Sequence, residues 1–135
     1  MTVRRARPAD TDAVLALWGA ARSAAAAITD DADAVAGAIE QGALLVADDG
    51  GAVVGTIVAG WDGWRGNMYR LAVLPSHQRL GIGRELVEAG EALLRRRGAR
   101  RITALVGRGD PVAMGLWRAV GYGHDAQIAR FVRNL

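Results

Sequence analysis

The chain contains no cysteine and no lysine. Without cysteine there is no disulfide framework, no thiolate metal site and no cysteinyl nucleophile. Without lysine, Schiff-base chemistry and the phosphate-gripping lysine of a Walker loop are excluded. All 17 basic residues are therefore arginine, against 14 acids, for a formal net charge of +3. An arginine-only surface favours planar or phosphate-bearing anions as partners. Aromatic residues make up only 5%, with a single Phe, so base-stacking platforms for nucleic acid are poorly supported. Two histidines, His77 and His124, are too few for a histidine-based metal site unless carboxylates complete it. The longest apolar runs, near Ala43–Ala47 and Ala52–Gly60, are far too short to span a bilayer. No apolar h-region follows Met1-Thr2-Val3-Arg4-Arg5, so a cytoplasmic location is expected.

What is present is the composition of one globular domain, 135 residues long and 51% apolar. Thr2–Ala6 reads as a short strand, and Pro8-Ala9-Asp10 as a helix start with Asp10 as its cap. Ala13, Val14, Leu17, Trp18 and Ala21 form an apolar stripe at helical spacing. An alanine-rich segment, Ser23–Ile28, precedes a second helix over Asp30–Gln41. Ala43–Ala47 and Ala52–Trp61 read as a hairpin around Asp48-Asp49-Gly50-Gly51. Asn67–Leu74 is a third strand of the same run, and Gly83–Arg97 a strong helix stopped by Gly98. Arg101–Val106 is a strand, Asp110-Pro111 caps a helix running to Val120, and Ile128–Val132 is expected to close the sheet. The fold class is α/β: a mixed sheet flanked by about four helices.

The segment that carries chemistry runs from Tyr69 to Val87. A strand enters a turn holding Gly81 and Gly83, and the turn opens an amphipathic helix. The first amides of a helix lack intrahelical acceptors, and the dipole adds partial positive charge. Glycine lets a ligand approach the backbone, and Arg79 and Arg84 add full charges. The combination suits a pyrophosphate. A dinucleotide fold is disfavoured, because Gly81-Ile82-Gly83-Arg84-Glu85-Leu86 lacks the third glycine of that fingerprint.

Gln78-x-x-Gly81-x-Gly83, following Leu71-Ala72-Val73-x-Pro75, resembles the acetyl-CoA signature of the GNAT N-acetyltransferase superfamily. Ala113-x-x-Leu116-Trp117-x-x-Val120-Gly121-Tyr122 is similar to its last-helix motif, and Asp62-Gly63-Trp64-Arg65-Gly66 to a turn of small bacterial members. The resemblance covers the whole chain. It implies a mainly antiparallel mixed sheet that splays open around the cofactor. Backbone groups of Leu71, Ala72 and Val73 would pair with the pantetheine arm. Amides from Arg79 through Leu80, Gly81, Ile82 and Gly83 to Arg84 would cradle the pyrophosphate, beside Gln78. A backbone N–H near Val73 would polarise the acetyl carbonyl. Transfer would be direct from acetyl-CoA to an amine, with no metal.

Two positions depart from the family pattern. Trp117 stands where the family usually carries a tyrosine acid, and Tyr122 lies five residues on, at the helix exit. Relatives place a carboxylate early in the cofactor strand, where this chain has Asn67, Met68 and Tyr69. Asp62 is the nearest acid by sequence, and Glu40 an outside candidate. Trp61 and Trp64 flank the Asp62-Gly63 turn and, with Tyr69, could wall an acceptor. A site without a dedicated base suits weakly basic amines: peptide N-termini, amino acids or similar small molecules. The alternatives are an acyl-CoA-binding module with little catalysis and, remotely, a basic RNA-interaction protein built on Arg95-Arg96-Arg97 and Arg100-Arg101. Neither nucleic acid nor membrane is expected as a partner, and a homodimer is left open.

Overall fold

Gly50 and Gly51 both adopt positive φ, 59° and 95°, which gives the two-residue turn whose twist matches antiparallel strands. Around it β2 (Leu44–Asp49) pairs with β3 (Ala52–Trp61), closing with Asp49 opposite Ala52. The computed structural model describes residues 1–21 and 30–135 of the chain. The alanine-rich Ser23–Ile28 lies outside the described residues. The remaining elements are β1 (Thr2–Arg5), α1 (Thr11–Ala20), α2 (Ala32–Glu40), β4 (Gly66–Val73), α3 (Ile82–Arg97), β5 (Ile102–Ala104) and α4 (Pro111–Ala119). The five strands lie in sequence order across one sheet. The first four are antiparallel, and β5 is parallel to β4. This is the mixed α/β fold expected from the sequence.

Both faces of the central strands are covered. Leu44, Val46 and Val58 face α1 and α2, where Val14, Leu17, Trp18 and Val35 complete one core. Leu45, Ala47, Ile57 and Met68 face α3, against Leu86, Val87 and Leu94. Successive side chains point to opposite faces, so a doubly covered strand reads as an unbroken apolar run. That is why Ala52–Trp61 was legible to the residue. Helix α3 lies unusually close to the sheet. A Cβ at Gly90 would stand 2.7 Å from Met68 Sδ, and one at Gly55 would stand 2.9 Å from Leu86 Cδ1 and 3.2 Å from the Ala72 carbonyl.

Two sequence expectations need correction. Ile128–Val132 forms no strand; the chain after Gly121 has no regular element. Ile128, Phe131 and Val132 are exposed, Phe131 at 94%, and a short β-prone segment without a paired edge or a buried face has nothing to fix it as a strand. Asp10 does not cap α1 with its side chain. Its carboxylate instead accepts from the Arg7 amide at 2.7 Å and pairs with Arg4 at 2.8 and 3.0 Å. Arg4 also reaches Asp48 at 3.1 Å, so one guanidinium fastens β1 to β2 and to the start of the helical layer. Helices α2 and α4 have side-chain caps: Asp31 accepts from the Ala34 amide at 2.8 Å, and Asp110 from the Ala113 amide at 3.0 Å.

The Arg4 guanidinium, partly opposed by burial and aided by the Arg7 amide, holds the Asp10 carboxyl down to about 2. Its stabilisation is therefore complete above the unfolded pKa near 4 and is lost as pH falls from about 4 to about 2. Asp10→Asn is expected to cost about 1–2 kcal/mol at pH 7 and much less near pH 2, read from denaturant midpoints at both pH values. Gly55→Ala is expected to destabilise by about 1–3 kcal/mol in the same assay, because the Ala72 carbonyl is backbone and cannot swing aside.

Candidate active site

Strand β4 does not pair evenly with β3. Val58 faces Tyr69 and Thr56 faces Ala72, so Arg70 and Leu71 together stand opposite Ile57. This is a β-bulge, and Arg70 takes positive φ, 55°, to make it. Buried polar groups hold it there. The Trp18 indole donates from Nε1 to Thr56 Oγ1 at 2.9 Å, and Thr56 Oγ1 donates to the Arg70 carbonyl at 2.9 Å. Thr56 is fully buried in the middle of an apolar strand, and both hydroxyl roles are filled.

On its other edge β4 pairs with β5 only from Gly66 to Met68. The last bond runs from the Leu105 amide to the Met68 carbonyl, 3.0 Å. Beyond that point the strands part. A slot of about 160 Å³ opens between Leu71 and Ala72 on one side and Val106, Ala113 and Trp117 on the other. Trp117 is buried in the core cluster and forms one wall.

At the far end of β4 the chain turns through Pro75–His77 into α3. Gln78 Nε2 donates to the Val73 carbonyl at 3.2 Å and pins the turn. Arg79 and Gly81 adopt positive φ, 65° and 83°. Among the described residues, no backbone oxygen accepts from the amides of Arg79, Leu80, Gly81, Ile82, Gly83 or Arg84. The two glycines differ in role. Gly81 needs its left-handed backbone and has open space around it. A Cβ at Gly83 would stand 2.9 Å from Leu116 Cδ2, so that position is small because α3 meets α4. Arg84 Nη2 also donates to the Ala119 carbonyl at 3.3 Å, across the same contact.

A larger cleft of about 510 Å³ lies on the other side of the bulge. Trp61, Asp62 and Tyr69 line it, as do Asp30, Asp33 and Arg97. Trp18 and Arg70 line both the cleft and the slot, so the two cavities meet across them. Trp64 lies outside the cleft lining, 76% exposed, with the Arg65 guanidinium 4.2 Å above its ring. Asp62 Oδ1 accepts from the Arg65 and Trp64 amides, at 2.6 and 2.8 Å, and these bonds hold its carboxyl below the usual range. A carboxylate so occupied is a weak proton acceptor. Glu40, an exposed residue, is not among the cleft lining. The Tyr122 hydroxyl donates to Glu91 on α3 at 3.0 Å, and its ring stands edge-on to Trp117 at 4.9 Å between centroids. Burial, then the Glu91 carboxylate, pushes that phenol well above its ordinary range.

Sequence reasoning gave Trp18 only a core role and none to Arg70 or Asp30. One signal was available: an arginine interrupting the apolar run Met68-Tyr69-Arg70-Leu71-Ala72-Val73.

Residues 12–122 match the Acetyltransferase (GNAT) family, and the chain belongs to it. It is an acetyl-CoA-dependent acetyltransferase. Among solved structures it is similar to yncA from Salmonella typhimurium, solved with its cofactor acetyl-CoA: 26% identity over 90% of this chain and 78% of that one, TM-score 0.75. A ribosomal-protein-alanine N-acetyltransferase from Brucella melitensis is 24% identical over 90% and 83%, with TM-score 0.74. An aminoglycoside antibiotic 6'-N-acetyltransferase from Acinetobacter haemolyticus is 14% identical over 100% and 99%, with TM-score 0.75. The features of this chain fit the coenzyme: free amides beside two arginines for a diphosphate, and an unpaired strand edge for an amide-bearing arm. Among the described residues there is no cluster of metal-ligating side chains, and no helix is long and apolar enough to cross a membrane.

Gly81→Ala should weaken acetyl-CoA binding about tenfold in calorimetry, since a Cβ strains the left-handed turn by about 1–2 kcal/mol. Unchanged affinity would remove the turn from the binding site.

Proposed function

We propose that this chain moves acetyl groups directly from acetyl-CoA to a weakly basic amine that enters through the cleft lined by Trp61 and Tyr69. The observation that carries the reading is the position of β4, whose open edge faces the slot and whose bulge faces the cleft. The coenzyme supplies the activated thioester. The chain's part is to hold and orient.

Strand geometry supports Val73 as the carbonyl-polarising donor. The Leu74 amide donates to the Val54 carbonyl at 2.9 Å, toward β3. Alternation then turns the Val73 and Leu71 backbone groups the other way, toward the slot. An N–H fixed in a strand stabilises charge on a carbonyl oxygen without reorganising. Leu71 would receive the pantetheine arm, Ala72 being turned to Thr56 of β3, and the turn from Gln78 to Arg84 would receive the diphosphate.

Deprotonation decides the acceptor class. A lysine-type amine costs roughly 4–5 kcal/mol to deprotonate at pH 7, and an α-amine near pKa 8 only about 1 kcal/mol. With Asp62 engaged by its own turn, the cheaper amine is favoured. Tyr122, already donating to Glu91, is poorly placed to protonate a thiolate. We assign its hydroxyl to joining α4 and α3, with Trp117 as the slot wall.

The test is release of free CoA across an amine panel at pH 7. Compounds with α-amino groups are expected to turn over faster than lysine side chains, and the reverse order would overturn the assignment. CoA binding without release for any amine would favour a binding module. Tyr122→Phe is expected to keep kcat within about threefold while lowering the melting temperature; a hundredfold loss of kcat would make the phenol the acid after all.

A further inference from the structure

Arg70 and Asp30 are the opposite charges lining the cleft that touch one another, and Arg70 stands where cleft and slot meet. The geometry points to a free α-amino acid as the acceptor, its carboxylate held by Arg70 and its ammonium by Asp30. This rests on the acetyl-transfer reading above and narrows it.

The argument begins with position. The amine must lie beside the acetyl group, hence near the junction of the two cavities, and Arg70 and Trp18 form that junction. Arg70 has no group to hold on a simple amine, which gains nothing from it. An α-amino acid differs, because its carboxylate is one carbon from its nitrogen. Wherever the nitrogen reaches the junction, the carboxylate reaches Arg70.

Preorganisation is the second step. The Arg70 backbone is locked in the bulge by the Thr56 hydroxyl, and its guanidinium rests 4.9 Å from the Trp18 ring centroid. Among the described residues its side-chain bond is from Nη2 to Asp30, which leaves other N–H donors of the planar fork for a carboxylate. Both side chains are largely shielded, Asp30 at 17% and Arg70 at 34% exposure, so their charges are only partly screened. A zwitterion set against the pair replaces one ion contact with two and leaves neither charge unmatched. Val58, Ala59 and Trp61 then offer apolar surface to the side chain.

Charge also bears on reactivity. A carboxylate raises the pKa of its neighbouring amine, and pairing that carboxylate with Arg70 cancels the effect. Asp30 beside the ammonium acts in the opposite sense, so the pair orients the acceptor and leaves its basicity near that of an ordinary α-amine. Peptide N-termini and polyamines lack the adjacent carboxylate and would bind beside an unbroken Arg70–Asp30 pair.

The experiment compares leucine, methionine and phenylalanine with their carboxamides, with the corresponding decarboxylated amines and with a diamine, by CoA release with saturating acetyl-CoA. At least tenfold higher kcat/KM for an amino acid than for its carboxamide is expected. Arg70→Asn, which suits a left-handed backbone, should bring that ratio close to one, whereas Asp30→Asn should lower kcat/KM about tenfold for acid and carboxamide alike. Acids and carboxamides acetylated equally, or the diamine preferred, would overturn the inference while leaving acetyl transfer intact. A ratio that survives in folded Arg70→Asn would also overturn it. If that variant fails to fold, the wild-type ratio and Asp30→Asn decide. No release with any amine would sink the acetyl-transfer reading itself, and this inference with it.

Discussion

A strand with hydrogen-bonding neighbours on both edges has no backbone to offer a ligand. The site in this chain depends on β4 losing one neighbour partway along its length. Three residues pair with β5, and among the described residues no strand pairs with the rest of that edge. An open edge inside a fold is unstable unless something else fixes the strand. Here the opposite edge does so, through β3, and the face does so through α3, which the glycines at 55 and 90 allow to sit close. The bulge then redirects one backbone carbonyl into the Thr56–Trp18 chain and sends the Arg70 side chain to the junction of the cavities. Packing, strand splay and site are thus one construction.

The apolar runs made most of this legible. Strands covered on both faces and helices with one covered stripe show strong periodicity, and β3, α3 and the cap of α4 lie where the residues place them. The turn at Gly81 was legible because glycine before an amphipathic helix has few other uses. Ile128–Val132 misled for the complementary reason: strand propensity is a property of the segment, whereas a strand needs a partner and a burial that the segment cannot declare. Asp10 was misread likewise, since its partner Arg4 is a β1 residue and competes with capping through a stronger, charged contact.

The catalytic half was less legible. The proposed cofactor site is made of backbone groups at fixed spacing along one stretch, so its signature is local. The proposed acceptor cleft is assembled from α1, α2, α3, β3, β4 and the turn after β3, and its members share no spacing. Trp18 read as core from its helical stripe, and it is core; its indole N–H has a second task that periodicity does not encode. Trp61 and Trp64, on either side of Asp62-Gly63, divide between cleft and solvent, because the Asx-type turn at Asp62 reverses the chain between them.

The two glycines of the signature show what a motif can conceal. Gly81 and Gly83 look equivalent as ligand-approach positions, yet only Gly81 has the backbone conformation that glycine alone adopts cheaply. Gly83 is required by Leu116, a residue of α4, so loss of binding on enlarging it would report a displaced helix as readily as a blocked diphosphate. Because α4 also supplies Trp117 to the slot wall, the two effects converge on the same cavity from opposite sides. The spacing of this motif therefore encodes two constraints at once: a turn that frees amides for an anion, and a helix crossing that sets the width of the opening beside them.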